Sequence, residues 1–320
     1  LKKENLKACL SFYDGSFLDC KMVIALLQTA ISKGAIAKNY CEVFEFLYYE
    51  NKKISGLKYF DKIENKTCEI NCSCIINATG ANVDNIRALD DKNTQEILAL
   101  SSGIHIVVSK DFLFSDEALL IPNTSDGRII FILPYLNHCL IGTTDNKCEY
   151  DENIKAKDEE IKYLLDEVNI YFTKPLKKED ILSSWSGIRP LIKSANKSNT
   201  QEIVREHLII SSKNGLISIA GGKWTTYRKM AQDMMDFLVD KNYLEKRKSC
   251  ETKKYKLLGN EEKHKDLEKL ISFYAISKST KESLITLYGN NATVVLNIAS
   301  ELNNFELIHK DLPYLKAEII

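Results

Sequence analysis

An apolar strand-like run, Leu216 to Ala220, passes without a break into Gly221-Gly222-Lys223-Trp224-Thr225-Thr226-Tyr227-Arg228 and then into an amphipathic helical pattern carrying Met230, Met234 and Leu238. No other stretch constrains the fold as much, because a strand that reaches a helix through two glycines is the geometry of an anion or cofactor site. Glycine lets the backbone pass close to a ligand, and the first free N–H groups of a helix direct partial positive charge at it. Lys223 adds a full charge at the same place. The plain alternative is a tight strand-to-helix turn built from small residues. The Met and Leu stripe beyond it fits a core-facing helix better than a cofactor box.

A chain of 320 residues is long enough for two domains or one large one. Lys plus Arg and Asp plus Glu are 44 each, so no basic excess is present to neutralise phosphates, and a nucleic-acid partner has no support. The longest apolar run, Met22 to Leu27, is too short to span a bilayer, and no charged-then-apolar leader opens the chain. Of the nine cysteines, Cys68, Cys72 and Cys74 are close enough to raise a metal site. An alternating strand would put Cys72 and Cys74 on one face, but no second Cys pair or His cluster completes a tetrahedral shell. Reduced, buried thiols are therefore expected, and no metal.

Along the chain, Asp19 is placed to cap a helix through Met22, Ala25, Leu26 and Ala30 that stops at Gly34. Strands are expected at Asn39 to Phe44, Ile54 to Phe60 and Cys68 to Asn77. The last ends in Cys74-Ile75-Ile76, which suits burial on both faces, and breaks at Thr79-Gly80. From His105 to Thr143 the pattern changes to short strands, Ala118 to Ile121, Arg128 to Leu133 and His138 to Ile141. Turns at Ser125-Asp126-Gly127 and Leu136-Asn137 join them into an antiparallel meander. Asp158 to Phe172 carries Ile161, Leu164, Leu165 and Val168 at helical spacing, and Asp180 to Ile188 returns as a strand. His207 to Ser211 and Leu216 to Ala220 flank the hairpin signal Ser212-Lys213-Asn214-Gly215. Tyr243 to Lys256 is Lys-rich and fits a solvated linker. Three amphipathic helices are predicted beyond it, around Leu267 to Tyr274, Lys281 to Tyr288 and Ala292 to Leu302.

Five segments share one order along the chain: Ile75-Ile76-Asn77-Ala78-Thr79-Gly80, Gly103-Ile104-His105-Ile106-Val107-Val108, Ile141-Gly142-Thr143-Thr144-Asp145, Ser183-Ser184-Trp185-Ser186-Gly187-Ile188-Arg189-Pro190-Leu191, and the Gly221-Gly222-Lys223 block. That order closely resembles the FAD-dependent glycerol-3-phosphate dehydrogenases, with the mitochondrial branch nearest. The resemblance runs from about Phe12 to beyond residue 310. It implies α/β and α+β architecture of the D-amino-acid-oxidase-like class. The expected parts are a partial FAD-binding domain (1–100), an antiparallel β substrate domain (101–192), a return segment (193–245) and a partial helical C-terminal domain (250–320).

Oxidising a secondary alcohol beside a phosphate needs a cationic clamp, a base for the hydroxyl proton and a hydride acceptor, and no side chain accepts hydride. The resemblance supplies FAD as the cofactor. Arg189, between Gly187 and Pro190, has its backbone restricted so that a planar guanidinium can be aimed; by spacing alone it serves a structural carboxylate equally well. The resemblance turns it toward substrate, as phosphate clamp or as partner of the developing alkoxide. His105 alternates with Ile104 and Ile106 on an apolar strand, where a lone His is most simply a satisfied structural residue. The resemblance puts it in the substrate pocket as general base. The resemblance sets Lys223 against the flavin or the substrate anion. Ala78, Thr79, Gly80, Gly221, Gly222, Trp224 and Thr225 become cofactor-binding residues, while Thr226 and Arg205 become substrate-binding ones. Ala81 stands where the family often has Pro, which softens that turn.

No G-x-G-x-x-G follows a strand in these residues, although the resembled family places one near its N-terminus to hold the FAD pyrophosphate. The residues given are expected to begin downstream of that motif and, alone, to hold FAD weakly and to turn nothing over. The implied activity is oxidation of sn-glycerol 3-phosphate to dihydroxyacetone phosphate, with electrons passed to the quinone pool. The implied location is the mitochondrial inner membrane, by peripheral attachment. A flavin oxidase of an amine or a 2-hydroxy acid, and an inactive interaction module that keeps the fold, are the alternatives.

Overall fold

The computed structural model describes residues 1–2, 4, 7–113, 115–193, 206–245, 248–259, 269, 271–274 and 276–320. These divide into two units, Leu1–Cys9 with Tyr40–Ser249, and Leu10–Asn39 with Cys250–Ile320. The division at 249 and 250 falls inside the Lys-rich Tyr243 to Lys256 segment.

The second unit contains α1 (Asp19–Ser32) and, near its other end, two helices introduced below. Asp19 does not cap α1. It is the first helical residue, Leu18 holds the cap position without a side-chain bond, and Asp19 contributes only a favourable charge to the first turn. The stop is as expected: Gly34 has φ +93°, a left-handed conformation natural to glycine.

In the first unit, β1 (Cys41–Tyr48), β2 (Ile54–Asp61) and β3 (Lys66–Asn71) form an antiparallel sheet. The single strand expected over Cys68 to Asn77 is two strands on two sheets. The Cys72 N–H donates to the Ser55 carbonyl, after which the chain leaves β2 and enters β4 (Ile75–Asn77), which pairs with a strand far along the sequence. Cys72 accordingly packs with Phe46 and Ile54, whereas Cys74 packs with Ile217, Met234 and Leu238, so the two do not share a face. Nor is the run buried on both faces. Ile75 and Asn77 are buried, but Ile76 is 40% exposed.

The helix α2 (Val83–Asp90) follows, and the Asp84 carboxylate accepts from the N–H groups of Ile97 and Leu98, fixing where β5 (Leu98–Ser109) begins. Next come β6 (Leu119–Ile121), β7 (Ile130–Tyr135), β8 (His138–Gly142), β9 (Asn146–Lys147), α3 (Asp158–Asn169) and β10 (Ile181–Ile192). They build an antiparallel sheet in the order β10-β5-β8-β7-β6, with β9 on β5. The expected meander is present as β6, β7 and β8. Leu136 and Asn137, with φ of 44° and 62°, make the two-residue turn that suits the sheet's twist. The strand β10 runs past Ile188, through Pro190, because it lies at the edge of the sheet, where a residue without an N–H is tolerated.

Alternation on β5 decides where the site lies. Ile104, Ile106 and Val108 point to one face and pack with Ile130, Ile132 and Ile141 against Ile161, Leu164 and Val168 of α3. Fully burying each such side chain stabilises the fold by about 1.5–3 kcal/mol. Ser101, Gly103 and His105 therefore belong to the opposite face.

The remaining sheet pairs β11 (His207–Ser211) with β12 (Leu216–Gly221) antiparallel, and β12 with β4 parallel. The helix α4 (Tyr227–Asp240) buries Met234 and Leu238, so the Met and Leu stripe is core. In the second unit, α5 (Lys278–Tyr288) and α6 (Ala292–Glu301) bury Leu284, Val295 and Leu296 against Leu315. Of the helix expected around Leu267 to Tyr274, Leu267, Glu268 and Leu270 lie outside the described residues, while Lys269, Ile271, Ser272 and Phe273 are helical.

Candidate functional site

On the face of the larger sheet turned away from α3, cross-strand register sets Trp185 of β10, His105 of β5 and Gly142 of β8 in one row. The imidazole stacks on Trp185, with ring centroids 5.8 Å apart and planes at 21°, and Tyr135 adds a tilted ring 6.4 Å from Trp185. Gly142 makes room for this arrangement. A Cβ there would press into Cδ2 of His105 and lie 2.8 Å from its Nε2.

The next row on the same face pairs Gly103 with Gly187, and the one after pairs Ser101 with Arg189. These rows are spaced by two residues, about 7 Å along a strand. The Arg189 side chain crosses over Gly103, where any Cβ would collide with both its Nη atoms and with the Thr144 carbonyl. Its Nη2 donates to Thr143 Oγ1 at 2.9 Å and its Nη1 to the Thr144 carbonyl at 3.1 Å, while Asp145 Oδ1 stands 3.7 Å from Nη1. The Ser101 hydroxyl holds that Asp145 oxygen. The Arg189 side chain is thus fixed, its guanidinium planar, and it is 31% exposed. Beside it, nothing lies within 4 Å of where a Gly187 Cβ would be, so the floor between Trp185 and Arg189 is bare backbone.

The glycine turn lies at the far end of β10. Ile192 packs against Gly221, and β10 contacts both β12 and the turn at Gly80–Asn82. Gly221 and Gly222 have φ of 71° and 78°. A Cβ on the first would meet the Glu206 carbonyl at 2.7 Å and one on the second would meet Met230 Sδ at 2.5 Å, so both positions require glycine twice over. The Gly222 N–H is committed to the Glu206 carbonyl. The amides after Gly222 precede α4 and enter a single tight turn, Trp224–Thr226, in which the Thr226 N–H donates to the Lys223 carbonyl at 3.0 Å. Lys223, Trp224, Thr225 and Thr226 are exposed, with Trp224 tilted against Tyr227 at 5.1 Å. The Thr226 hydroxyl donates to the Lys223 carbonyl, fastening the turn.

Parallel pairing of Asn77 with Ser218 sets the ends of β4 and β12 side by side. Buried Asn77 donates from Nδ2 to the Val83 carbonyl and to Ser218 Oγ, and its Oδ1 accepts from the Thr79 hydroxyl. Ala78 and Thr79 are left exposed, followed by Gly80 at φ +61° with open space where a side chain would be. The Asn-Ala-Thr-Gly turn and the Gly-Gly-Lys turn therefore share one end of one sheet, and the same end receives β10. These two backbone turns, with the bare floor at Gly187, fit an extended, flat cofactor that must approach main chain.

Arg205 lies outside the described residues. Gly103, Gly142, Thr143, Thr144, Asp145, Ser101 and Trp185 gain roles that sequence spacing did not assign. The two glycines had a signal, each being a lone glycine in an apolar strand.

A sheet face carrying an imidazole and a fixed guanidinium, next to two glycine turns at the ends of adjacent parallel strands, is the arrangement of a flavin-dependent oxidoreductase. The chain belongs to the FAD dependent oxidoreductase family, which matches residues 1–228, and residues 250–320 match the C-terminal domain of alpha-glycerophosphate oxidase. A probable mitochondrial glycerol-3-phosphate dehydrogenase of Dictyostelium discoideum is 34% identical over 99% of this chain and 52% of its own length. The mitochondrial glycerol-3-phosphate dehydrogenase of Homo sapiens is 33% identical over 100% of this chain and 46% of its own. The glycerol-3-phosphate dehydrogenase of Bacillus halodurans, solved in complex with FAD, is 32% identical with a TM-score of 0.75, covering 88% of this chain and 56% of that one. The chain spans about half the length of the curated relatives it matches.

Proposed function

We propose that this chain carries the substrate-facing half of an FAD-dependent glycerol-3-phosphate dehydrogenase that oxidises sn-glycerol 3-phosphate to dihydroxyacetone phosphate. The observation that carries the reading is the placement of His105 and Arg189 on one face of the sheet, each seated over a glycine. FAD supplies the two-electron acceptor for the secondary alcohol. Ala78, Thr79, Gly80, Gly221, Gly222, Trp224 and Thr225 are the residues that would hold it, with Lys223 adding positive charge at the helix start. Arg189 binds the anionic substrate by charge-assisted, bidentate contacts. His105 takes the C2 hydroxyl proton as the carbon is oxidised, its ring stacked on Trp185. Thr226 lies within the same turn and contributes to the substrate side.

Further electron transfer to a quinone, a mitochondrial location and peripheral attachment to the inner membrane belong to the same proposal, and of these the names of the relatives support the mitochondrial location. Among the described residues no helix is long and apolar enough to cross a membrane. The test is anaerobic reduction of the full-length flavoprotein. Glycerol 3-phosphate should bleach the oxidised flavin spectrum, whereas glycerol and 2-hydroxy acids at equal concentration should not. Bleaching by an amine or a 2-hydroxy acid but not by glycerol 3-phosphate would overturn the substrate assignment.

A further inference from the structure

Glu160 stands in the first turn of α3, behind the sheet, and is only 7% exposed. Its Oε1 accepts from the Thr144 hydroxyl at 2.7 Å and from Asn146 Nδ2 at 2.8 Å, while its Oε2 receives the Lys157 N–H at 3.4 Å. Thr144 itself is 1% exposed and joins the two sides of the sheet. Its hydroxyl also accepts the Ile104 N–H at 3.0 Å, and its carbonyl receives Arg189 Nη1. A continuous chain of hydrogen bonds therefore runs from Glu160 through Thr144 to the guanidinium. The flanking residues of the same loop, Thr143 and Asp145, supply two further groups that face that guanidinium.

We propose that Glu160 is a positioning residue for Arg189, anchoring the 143–146 loop so that its hydroxyl, carbonyl and carboxylate aim the guanidinium across Gly103 into the site. The proposal rests on the assignment of Arg189 to the substrate anion. A carboxylate in the third position of a helix also caps it, here through the Lys157 amide, and a capping role alone would stabilise α3 without touching Arg189. Coupling between the two residues separates these roles, because groups in one hydrogen-bond network give non-additive effects and independent ones do not.

The experiment uses the full-length, FAD-loaded protein and the variants Glu160→Ala, Glu160→Gln, Arg189→Met and Glu160→Ala/Arg189→Met. Each is read by kcat/KM for glycerol 3-phosphate and by the Kd of dihydroxyacetone phosphate, taken from its perturbation of the flavin spectrum. Glu160→Ala should lower kcat/KM and weaken product binding by about tenfold, within the range for coupled residues. Glu160→Gln keeps the oxygen that accepts from Thr144 and Asn146 and should stay within about threefold of the parent. Glu160→Ala should add nothing in the Arg189→Met background. Full additivity in the double variant, with Arg189→Met alone clearly impaired, overturns the positioning role and leaves the clamp intact. An unimpaired Arg189→Met overturns the clamp and the positioning role with it. If Glu160→Ala gives no folded protein, Glu160→Asp, one methylene too short to reach Thr144, takes its place in the same cycle.

Discussion

Replacing Gly142 by alanine should damage the site through His105 alone, and the size of the effect follows from the cross-strand geometry. The new Cβ would stand 2.8 Å from Nε2 and 2.9 Å from Cγ of the imidazole, and closer still to Cδ2. Ordinary carbon contacts lie at about 3.5–4.0 Å, so the ring must retreat by about 1 Å. A displacement of that size at a reacting group costs on the order of a hundredfold in rate. Overpacking should also cost about 1–3 kcal/mol of stability. For a unit of this size each kcal/mol lowers Tm by about 2–4 °C. Kinetics of the full-length enzyme should therefore show kcat/KM for glycerol 3-phosphate reduced about a hundredfold. Trp185 gives an independent reading. The difference in emission between a protein and its Trp185→Phe counterpart isolates the tryptophan stacked on the imidazole, and that signal should shift in Gly142→Ala. Combining Gly142→Ala with His105→Ala removes the collision and should restore Tm to that of His105→Ala. If Gly142→Ala keeps kcat/KM within about twofold and leaves Trp185 emission unchanged, the imidazole is not held where this reasoning requires it.

Arg189→Met in the full-length enzyme should lower kcat/KM for glycerol 3-phosphate at least about a hundredfold, the loss of a charge-assisted contact of roughly 3 kcal/mol, with flavin content unchanged by absorbance. His105→Ala should lower kcat more than it raises KM and remove an ionisation between about pH 6 and 8 from the rate profile. Leu164→Ala should cost about 3 kcal/mol in thermal unfolding, since this fully buried side chain of α3 fills the core behind the sheet. Cys139 is buried, and burial pushes its thiol up to about 11, so iodoacetamide at about pH 8 should label the exposed Cys9 and Cys20 and spare Cys139 by mass spectrometry. The ordinary value of the thiol is 9.0, so below it both states keep the Cys139 proton. Between about 9 and about 11 Cys139 ionises only in the unfolded chain, and stability should fall across that window.

Wherever structure depends on neighbours in sequence, it is legible in this chain. The turn at Leu136-Asn137, the hairpin through Asn214-Gly215 and the helix carrying Ile161, Leu164 and Val168 each follow from turn chemistry or periodicity. The Cys68 to Asn77 segment was not legible, because its apolar pattern continues while its partner changes. At Cys72 the backbone still bonds to the β2 side, and from Ile75 it bonds to Leu216 and Ile217, about 140 residues along the chain. Asp19 is similar in kind. It is a good capping residue one position too late, since the cap is decided by where the backbone enters the helix and not by which nearby residue is best suited to it.

The site divides along the same line. His105, Arg189 and Lys223 carry charge or a titratable ring, so their chemistry is visible in one letter each, and a resemblance is enough to single them out. What makes them usable is empty space, and empty space belongs to a neighbouring strand. Gly142 accommodates His105 from β8, and Gly103 accommodates from β5 an arginine whose own strand is β10. In an antiparallel sheet a side chain's nearest same-face neighbours are set by register, so these pairs appear only once the register is known. Thr144 adds a second case. Its hydroxyl faces Glu160 and Ile104 while its carbonyl faces Arg189, so one residue serves the core with its side chain and the site with its main chain. A side-chain reading of Thr-Thr-Asp cannot see a carbonyl. The guanidinium is held by that carbonyl, so the precision of the charged group depends on how firmly α3 fixes a loop on the other side of the sheet.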